Sequence, residues 1–340
     1  MKKAVTIQAI AAALNLSRNT VSKALNGQYV PDKTRELVLK KAKELNYKSF
    51  NSETLKSNKY HILLLSGKPF HNIEFFIPVV KSIETYCFRH DYDFYQYTYV
   101  PKNDSFSFMN KNIKAFKVDG IVAIESFKPD LIKNILSLNI PVCFLDFPGF
   151  KIETNHKYDL ICSSDQKTVC DYIKSLIDKY DLNRFTFVGD YRHCLTFHER
   201  YMGMLRGLSR TDKDHSKEED ILDDDNKFDY GDVELLKNRI ASFKYLPECF
   251  VCCNDYVARN VVRAIQGLGF KIPEDTMVIG FDDVNIAVCE HPTLTTFEVD
   301  KSFLGQEAIR LLISRIENKN CPTRTTTIDC KLVKRESTKN

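Results

Sequence analysis

The stretch "LNLSRNTVSKALNG" at residues 14–27 decides the fold of the N-terminal segment. Ser17 can cap a helix in which Val21, Ala24 and Leu25 recur at helical spacing and form one apolar face. The "NG" that follows is a typical stop signal. The opposite face of this helix carries polar side chains, namely Arg18, Asn19, Ser22 and Lys23. The pattern therefore predicts a short helix that packs on one side and presents a polar face on the other.

The segments on either side predict two more helices. Thr6 can cap a first helix that ends near Leu14, and "LNL" is then a tight connection to the second helix. A third helix is expected to begin around Pro31 and Asp32 and to bury four apolar residues: Leu37, Val38, Ala42 and Leu45. Three helices with a tight turn between the first two predict a helix-turn-helix unit at residues 1–47.

The charge of the chain is distributed unevenly. Residues 1–60 carry a net charge of +8, the other 280 residues carry −4, and no acid occurs before residue 32. A basic segment attached to a mildly acidic body is typical of a nucleic-acid-binding module joined to a second domain. Double-stranded DNA is therefore the expected partner of the head.

The second helix has the chemistry of a DNA-reading helix. In a helix-turn-helix unit its N-terminal residues lie nearest the base edges in the major groove. Arginine pairs with guanine and asparagine with adenine, so Arg18, Asn19 and Lys23 are the candidate base contacts. Hydroxyl and amide side chains suit phosphates, which position the module without reading sequence. The candidates for phosphate contacts are Thr6, Thr20, Ser22 and Asn26.

After Lys59 the periodicity changes to short apolar runs separated by helical stretches. The expected strands are "HILLLS" (61–66), "DFYQYTY" (93–99), "DGIVAIE" (119–125), "PVCFLDF" (141–147), "RFTFVGD" (184–190), "CFVCCND" (249–255) and "MVIGFDD" (277–283). Alternating strands and helices predict parallel sheets covered on both faces. Polar residues at strand ends, among them Asp146, Asn254 and Asp282, favour a shared cleft beyond the carboxyl ends.

Composition and motifs argue against several other classes of protein. No apolar run is long enough for a bilayer span and no signal peptide is recognisable, so a cytoplasmic protein without a membrane partner is expected. The 11 cysteines are expected to be small buried hydrophobic residues, and the acidic region 212–229 lacks the ligand pattern of a calcium loop. Neither a metal nor a cofactor is expected. The phosphate-binding and nucleophile motifs of common enzymes are also missing, so the chain is not expected to be an enzyme.

The combined motifs resemble the LacI/GalR family of transcriptional regulators. The resemblance begins with "TIQAIAAALNLSRNTVSKALNG" and "VPDKTRELVLKKAKELNY" and continues through "CNDYVA", "IPEDTMVIGFDD", "PTLTTFEVDKSFLGQEAIRLL" and "VKRES". It implies a head at 1–47, a hinge at 48–60 and a periplasmic-binding-protein-like body of two Rossmann-like subdomains at 61–340. The expected N-subdomain is 61–161 plus 293–321, and the expected C-subdomain is 162–292 plus 322–340. The family also implies a homodimer on operator DNA.

The same resemblance implies which residues bind a small effector between the subdomains. These positions carry aromatic, acidic, amide and hydroxyl side chains and one arginine: Phe75, Phe76, Asp146, Asp165, Thr196, Arg200, Phe228, Asn254 and Asp282. Arginine and aspartate in one pocket suit a hydroxyl-rich ligand such as a sugar or sugar derivative. The aromatic faces suit a planar base equally well, so a nucleobase or nucleoside is the alternative effector, and a protein corepressor is another.

The hinge departs from the family pattern. Members usually continue with Y-x-P-N-x-x-A-R-x-L, whose leucine wedges into the minor groove, but this chain has "YKSFNSETLK" at 47–56. Leu55 stands one position early, and Glu53 replaces the alanine. The two readings are that Leu55 acts as a shifted wedge or that the hinge couples effector and DNA binding through a different geometry.

Overall fold

The structure of the protein is a computed structural model, which describes residues 5–25, 30–45, 47, 60–67, 69, 73–101, 104–148, 155–211, 213, 220–222 and 228–339. The chain divides into two compact units, Met1–Lys59 and Tyr60–Asn340. The predicted hinge at 48–60, except Tyr60, lies outside the described residues, as do Asn26 and Leu55.

The first unit contains the three predicted helices, α1 (Ile7–Leu14), α2 (Arg18–Leu25) and α3 (Asp32–Glu44). Asn15 ends α1 in the left-handed region, with φ 54°, which turns the chain sharply toward α2. The three helices enclose a small core of buried side chains: Ile10, Ala11, Val21, Ala24, Val30, Val38 and Ala42. One prediction is wrong, because Leu37 is 55% exposed while its neighbour Val38 is fully buried. Only one side of α3 faces the core, and Leu37 lies on the other side of the helix.

The second unit alternates strands and helices. Its strands are β1 (His61–Ser66), β2 (Asp93–Thr98), β3 (Gly120–Ile124), β4 (Val142–Leu145), β5 (Asp159–Ser164), β6 (Phe185–Val188), β7 (Cys249–Cys252), β8 (Met277–Ile279), β9 (Thr296–Glu298), β10 (Arg324–Asp329) and β11 (Lys331–Val333). Its helices are α4 (Ile73–Arg89), α5 (Phe106–Ala115), α6 (Pro129–Ser137), α7 (Asp165–Tyr180), α8 (Leu195–Ser209), α9 (Val233–Ala241), α10 (Asp255–Gly267), α11 (Ile286–Cys289) and α12 (Lys301–Glu317).

Two parallel sheets form two lobes within this unit. The six-stranded sheet has the order β10-β5-β4-β3-β1-β2, and we call its lobe the N-subdomain. The three-stranded sheet has the order β6-β7-β8, and we call its lobe the C-subdomain. Strands β1, β3 and β4 are almost wholly buried, as expected for parallel strands covered by helices on both faces. This arrangement confirms the predicted fold class.

The pairing of β5 and β10 differs from the predicted subdomain boundaries. β10 lies in the predicted C-subdomain but pairs in parallel with β5 of the N-subdomain, and β5 continues to residue 164 rather than ending at 161. Thr295 bridges to Ile279 of β8, so the chain after 293 begins on the C-subdomain side. The chain therefore passes between the lobes three times, after β5, before α12 and after β10.

Strand β5 was missed by the sequence analysis because a charged residue opens it. Asp159 is fully buried and its carboxylate accepts hydrogen bonds from the guanidinium groups of Arg315 and Arg324, at 2.6 to 3.0 Å. These bonds compensate for the burial of the charge, and they hold the pKa of Asp159 below its usual value although burial alone would raise it. Within the described residues, no helix combines the length and the apolar character needed to cross a membrane.

Candidate functional site

The exposed face of α2 carries the residues predicted to read DNA. Arg18, Asn19 and Lys23 are exposed, whereas Val21 and Ala24 are buried against the other helices of the head. The backbone N–H of Thr20 donates to the Ser17 hydroxyl at 3.0 Å, so Ser17 caps the helix as expected. The start of α2 thus exposes the Arg18 and Asn19 side chains on a capped helix.

The predicted phosphate contacts have local partners in the head. The Thr6 hydroxyl accepts the backbone N–H of Ala9 at 3.3 Å and caps α1, and the Thr20 and Ser17 hydroxyls lie 2.8 Å apart. A hydroxyl that accepts a capping bond keeps its hydrogen for another acceptor such as a phosphate oxygen. Ser22 is half-buried on the flank of the same helix.

A cavity of about 100 Å³ lies between the two lobes of the second unit, beyond the carboxyl ends of the strands. Seven of the nine predicted effector residues line it: Phe75, Phe76, Asp146, Thr196, Arg200, Asn254 and Asp282. The N-subdomain contributes residues from α4 and from the end of β4, and the C-subdomain contributes the start of α8 and the ends of β7 and β8. This is the place where open parallel sheets bind ligands.

Arg200 on α8 connects the acidic groups around the cavity. Its side chain is 3% exposed, its Nε donates to Asp165 at 2.8 Å, and its Nη2 donates to Asp282 at 3.3 Å. Its Nη1 donates to the carbonyl of Cys253, and its Cζ lies 3.6 Å from the centroid of the Phe281 ring. The buried guanidinium is therefore held by two carboxylates, a carbonyl and an aromatic face, which gives it one fixed orientation.

Asp146 joins the two lobes. Its carboxylate accepts the Thr196 hydroxyl at 2.6 Å and the Thr196 backbone N–H at 3.3 Å, across the cavity from β4 to α8. The same carboxylate accepts the N–H of Phe147 at 2.8 Å, and the Phe147 carbonyl accepts the N–H of Leu195 at 2.6 Å. Glu74 of α4 also accepts the N–H of Ile286 at 3.3 Å.

Three carboxylate residues that line the cavity have strained backbones. Glu125, Asp146 and Asp282 have φ angles of 51°, 64° and 103°, and each follows the end of a strand. Positive φ is uncommon for residues other than glycine, and such strain is concentrated at ligand sites. Burial raises the pKa of Asp146, and it raises the pKa of Asp282 to about 6 despite the nearby Arg200.

Two predicted effector residues are not part of the cavity wall. Asp165 is completely buried and reaches the site only through its ion pair with Arg200. Phe228 packs on the hydrophobic core, with its ring 5.0 Å from that of Tyr230. Phe228 follows residues 223–227, which lie outside the described residues. Its place in the family resemblance did not determine which way its ring points. The prediction that Phe228 contacts the effector stays untested.

Nine further residues that were not predicted from the sequence also line the cavity: Glu125, Phe127, Leu145, Cys162, Ser163, His193, Cys194, Phe197 and Leu304. The rule that found Asp146, an acid at a strand end, could also have found Glu125 at the end of β3. Cys162 and Ser163 were out of reach because β5 was not recognised. Within the described residues, no group of three or more histidine, cysteine or acidic side chains is placed to hold a metal ion.

The cysteines at this site behave as small buried hydrophobic residues. Cys162, Cys194 and Cys253 are each at most 3% exposed. Burial raises the pKa of all three thiols, that of Cys253 to about 12. A thiol with a raised pKa carries almost no thiolate at neutral pH and is a poor nucleophile.

Comparisons with known proteins support this architecture. Residues 179–338 match the model of the periplasmic binding protein-like domain family. The chain is 27% identical to the HTH-type transcriptional repressor PurR of Mannheimia succiniciproducens and 28% identical to that of Vibrio vulnificus, over 98% of each pair of chains. Among solved structures it is similar to a transcriptional regulator CelR–cellobiose complex, with a TM-score of 0.69 and 20% identity over 98% of this chain and 99% of that one. The lac repressor dimer bound to operator matches with a TM-score of 0.67 and 20% identity over 99% of both chains.

Proposed function

We propose that the chain is a transcriptional repressor of the LacI/GalR family that binds operator DNA and responds to a small effector. The observation that carries the proposal is the face of α2, where Arg18 and Asn19 are exposed at the start of a capped helix in a basic unit. Base-edge contacts from these positions are how helix-turn-helix proteins select their sites. The chain is not an enzyme, since the relatives that it matches along 98% of its length are repressors.

We propose that two copies of the chain bind one operator. A symmetric dimer would present two α2 helices to successive major grooves of a near-palindromic site. The similarity to a lac repressor dimer on its operator supports this arrangement. Binding to chromosomal DNA would place the protein in the cytoplasm.

The cavity between the lobes is proposed as the effector site. Four aromatic rings line it, those of Phe75, Phe76, Phe127 and Phe197, and the polar atoms of Arg200 and Asp146 already bond within the protein. A polyhydroxylated ligand needs many directional partners, whereas a planar ring gains most of its affinity from apolar contact. The cavity therefore favours a nucleobase or nucleoside, and a sugar is the second candidate.

The names and bound ligands of similar proteins support both candidates, the nucleobase or nucleoside and the sugar. Several curated relatives carry the name PurR, while solved neighbours include a regulator in complex with cellobiose and a LacI family regulator from Enterococcus faecium with bound ribose. A protein corepressor remains the alternative controller if no small molecule stabilises the protein. How Leu55 and the atypical hinge transmit the signal stays a proposal from the sequence.

Substitution of Arg18 by alanine tests the reading helix. We expect Arg18→Ala to reduce the ratio of specific to nonspecific DNA affinity by roughly 10- to 100-fold, because a bidentate base contact is worth about 1–3 kcal/mol. The measurement is fluorescence anisotropy with the selected operator and with a scrambled duplex. Binding-site selection from a random DNA library supplies the operator.

Arg35→Ala in α3 is the matched control, since it removes the same charge from the same unit. It should weaken binding to both duplexes by similar factors if it acts only through long-range electrostatics. If Arg18→Ala behaves like Arg35→Ala and keeps full sequence discrimination, the reading role of Arg18 is wrong.

A further inference from the structure

The described wall of the cavity contains more acidic than basic groups. Three acidic residues line it: Glu125, Asp146 and Asp282. Among the described lining residues there is one arginine, Arg200, and no lysine. Lys301 lies behind Asp282, where its Nζ donates to the carbonyls of Asp282, Asp283 and Val299. At pH 7.5 Asp282, with a pKa of about 6, is mostly ionised. Among the described lining residues, acidic side chains thus outnumber lysine and arginine side chains.

The single guanidinium is already committed. Arg200 donates to Asp165, Asp282 and the Cys253 carbonyl, and its flat face is covered by the Phe281 ring. Two carboxylates within hydrogen-bonding distance more than balance its charge. A phosphate group would have to displace one of these buried carboxylates, which would then lose its partner at a large cost.

The N-termini of α8 and α10, two helices that begin at the cavity, have partners as well. Such termini are the usual binding sites for phosphate, because their N–H groups point outward. At the start of α8, the Thr196 N–H donates to the Asp146 carboxylate and the Leu195 N–H donates to the Phe147 carbonyl. At the start of α10, the Asn254 side chain accepts the N–H of Val257 at 2.9 Å. At these two helix starts the protein's own oxygens thus accept N–H groups that a phosphate could otherwise bind.

We propose that the cavity selects uncharged ring compounds and rejects their phosphorylated forms. This proposal rests on the proposed function, because it assigns a ligand class to the effector site. The ligand would lie against the phenylalanine rings and use the few remaining polar atoms at the strand ends. Nucleobases, nucleosides and free sugars belong to this class, whereas nucleotides and sugar phosphates do not.

Matched pairs of probes test this selectivity on the full-length protein at pH 7.5. The probes are adenosine and AMP, guanosine and GMP, ribose and ribose 5-phosphate, and glucose and glucose 6-phosphate, first by thermal shift and then by calorimetry. We expect at least one uncharged probe to bind, with its phosphorylated partner at least about 100-fold weaker, because like charges repel strongly at a buried site. Equal or tighter binding of a phosphorylated partner, or binding by no uncharged probe, overturns the proposal.

The substitution Glu125→Gln tests whether the negative charge of the wall or the shape of the cavity excludes the phosphate group. It removes one lining carboxylate, so the preference for the uncharged member of the pair should narrow by several-fold. Glu84→Gln, on the exposed surface of α4, is the matched control and should leave the preference unchanged. An unchanged preference in Glu125→Gln would mean that steric fit, and not charge, excludes the phosphate.

Operator binding by the same preparation distinguishes the two proposals. Specific DNA binding together with binding of a phosphorylated probe would contradict the ligand class and leave the regulator intact. Selective binding of uncharged probes without any specific DNA binding would contradict the regulator and leave the ligand class intact.

Discussion

At the scale of single residues, Asp255 carries a carboxylate that the fold makes costly to ionise. It is completely buried at the start of α10, where it accepts the Thr296 hydroxyl at 2.6 Å and the Val284 N–H at 3.1 Å. Burial, and then the nearby charge of Asp282, raises the pKa of Asp255 to about 7. Gly280 leaves room for this side chain, because a Cβ at that position would lie 2.1 Å from the carboxylate oxygen.

The raised pKa of Asp255 predicts a pH-dependent stability. Between the pKa of the unfolded chain, about 4, and the folded value near 7, the folded state binds more protons, so the unfolding free energy falls as pH rises. We expect Asp255→Asn to gain on the order of 2 kcal/mol relative to the wild type between pH 5.5 and pH 8. Urea unfolding at the two pH values measures this change.

Asp178→Asn on the surface of α7 is the control and should show no such gain. A stability difference between Asp255→Asn and the wild type that is the same at both pH values would show that Asp255 does not titrate in this range.

At the scale of secondary-structure elements, the edge formed by β5 and β10 depends on one buried ion cluster. Arg315 of α12 and Arg324 of β10 both bond to Asp159, and Arg315 also donates to the carbonyls of Cys321 and Pro322. The cluster thus connects the end of α12, the turn after it and the first residues of both strands. Its loss would loosen an edge that few apolar contacts hold, since β10 alternates between exposed and half-buried residues.

Substitution of Arg315 by methionine tests this connection. The change keeps the bulk of the side chain but leaves Asp159 with one partner, so we expect a loss of about 3 kcal/mol in unfolding free energy. Arg310→Met on the exposed face of the same helix should change stability by no more than about 0.5 kcal/mol. Equal effects of the two substitutions, measured by urea unfolding, would contradict a structural role for the cluster.

The same elements show how far the sequence alone could lead. Continuous apolar runs identified β1, β3 and β4, because strands buried on both faces need such residues. Strands β5, β9, β10 and β11 were missed, because polar residues occupy much of them and tertiary partners such as Arg315 compensate for the burial. In the cavity, strand ends predicted Asp146, Asn254 and Asp282 correctly as lining residues. The sequence pattern could not show that Arg200 pairs with both Asp165 and Asp282, because these residues come together only in the folded chain.

At the scale of the whole body, a few hydrogen bonds hold the two lobes together around the cavity. They include bonds between Asp146 and Thr196, Phe147 and Leu195, and Glu74 and Ile286, and Lys301 of α12 also donates to the carbonyls of Asp282 and Asp283. Individual hydrogen bonds of this kind contribute about 1 kcal/mol, so a ligand that bridges the lobes can shift their balance.

Thr196→Val removes the hydroxyl bond to Asp146 while it keeps the shape of the side chain. We expect the open arrangement of the lobes to gain population, with a larger radius of gyration in X-ray scattering and about 5- to 10-fold weaker ligand binding. Thr211→Val is the control, because the Thr211 hydroxyl donates to Leu208 within the same subdomain. An unchanged radius of gyration would show that the Asp146–Thr196 bond does not hold the lobes.

The three chain passages between the lobes have a consequence during synthesis. The N-subdomain sheet is started by β1 near residue 61 but completed by β10, which ends at Asp329. The ribosome adds the residues between β5 and the end of β10 in roughly 10 to 30 s, at about 5–20 residues per second. During that interval the nascent lobe has an unpaired edge at β5 and lacks the cover of α12. Newly made chains are therefore most exposed to aggregation before their last strand emerges, and truncation near the C-terminus would damage the lobe that was begun first.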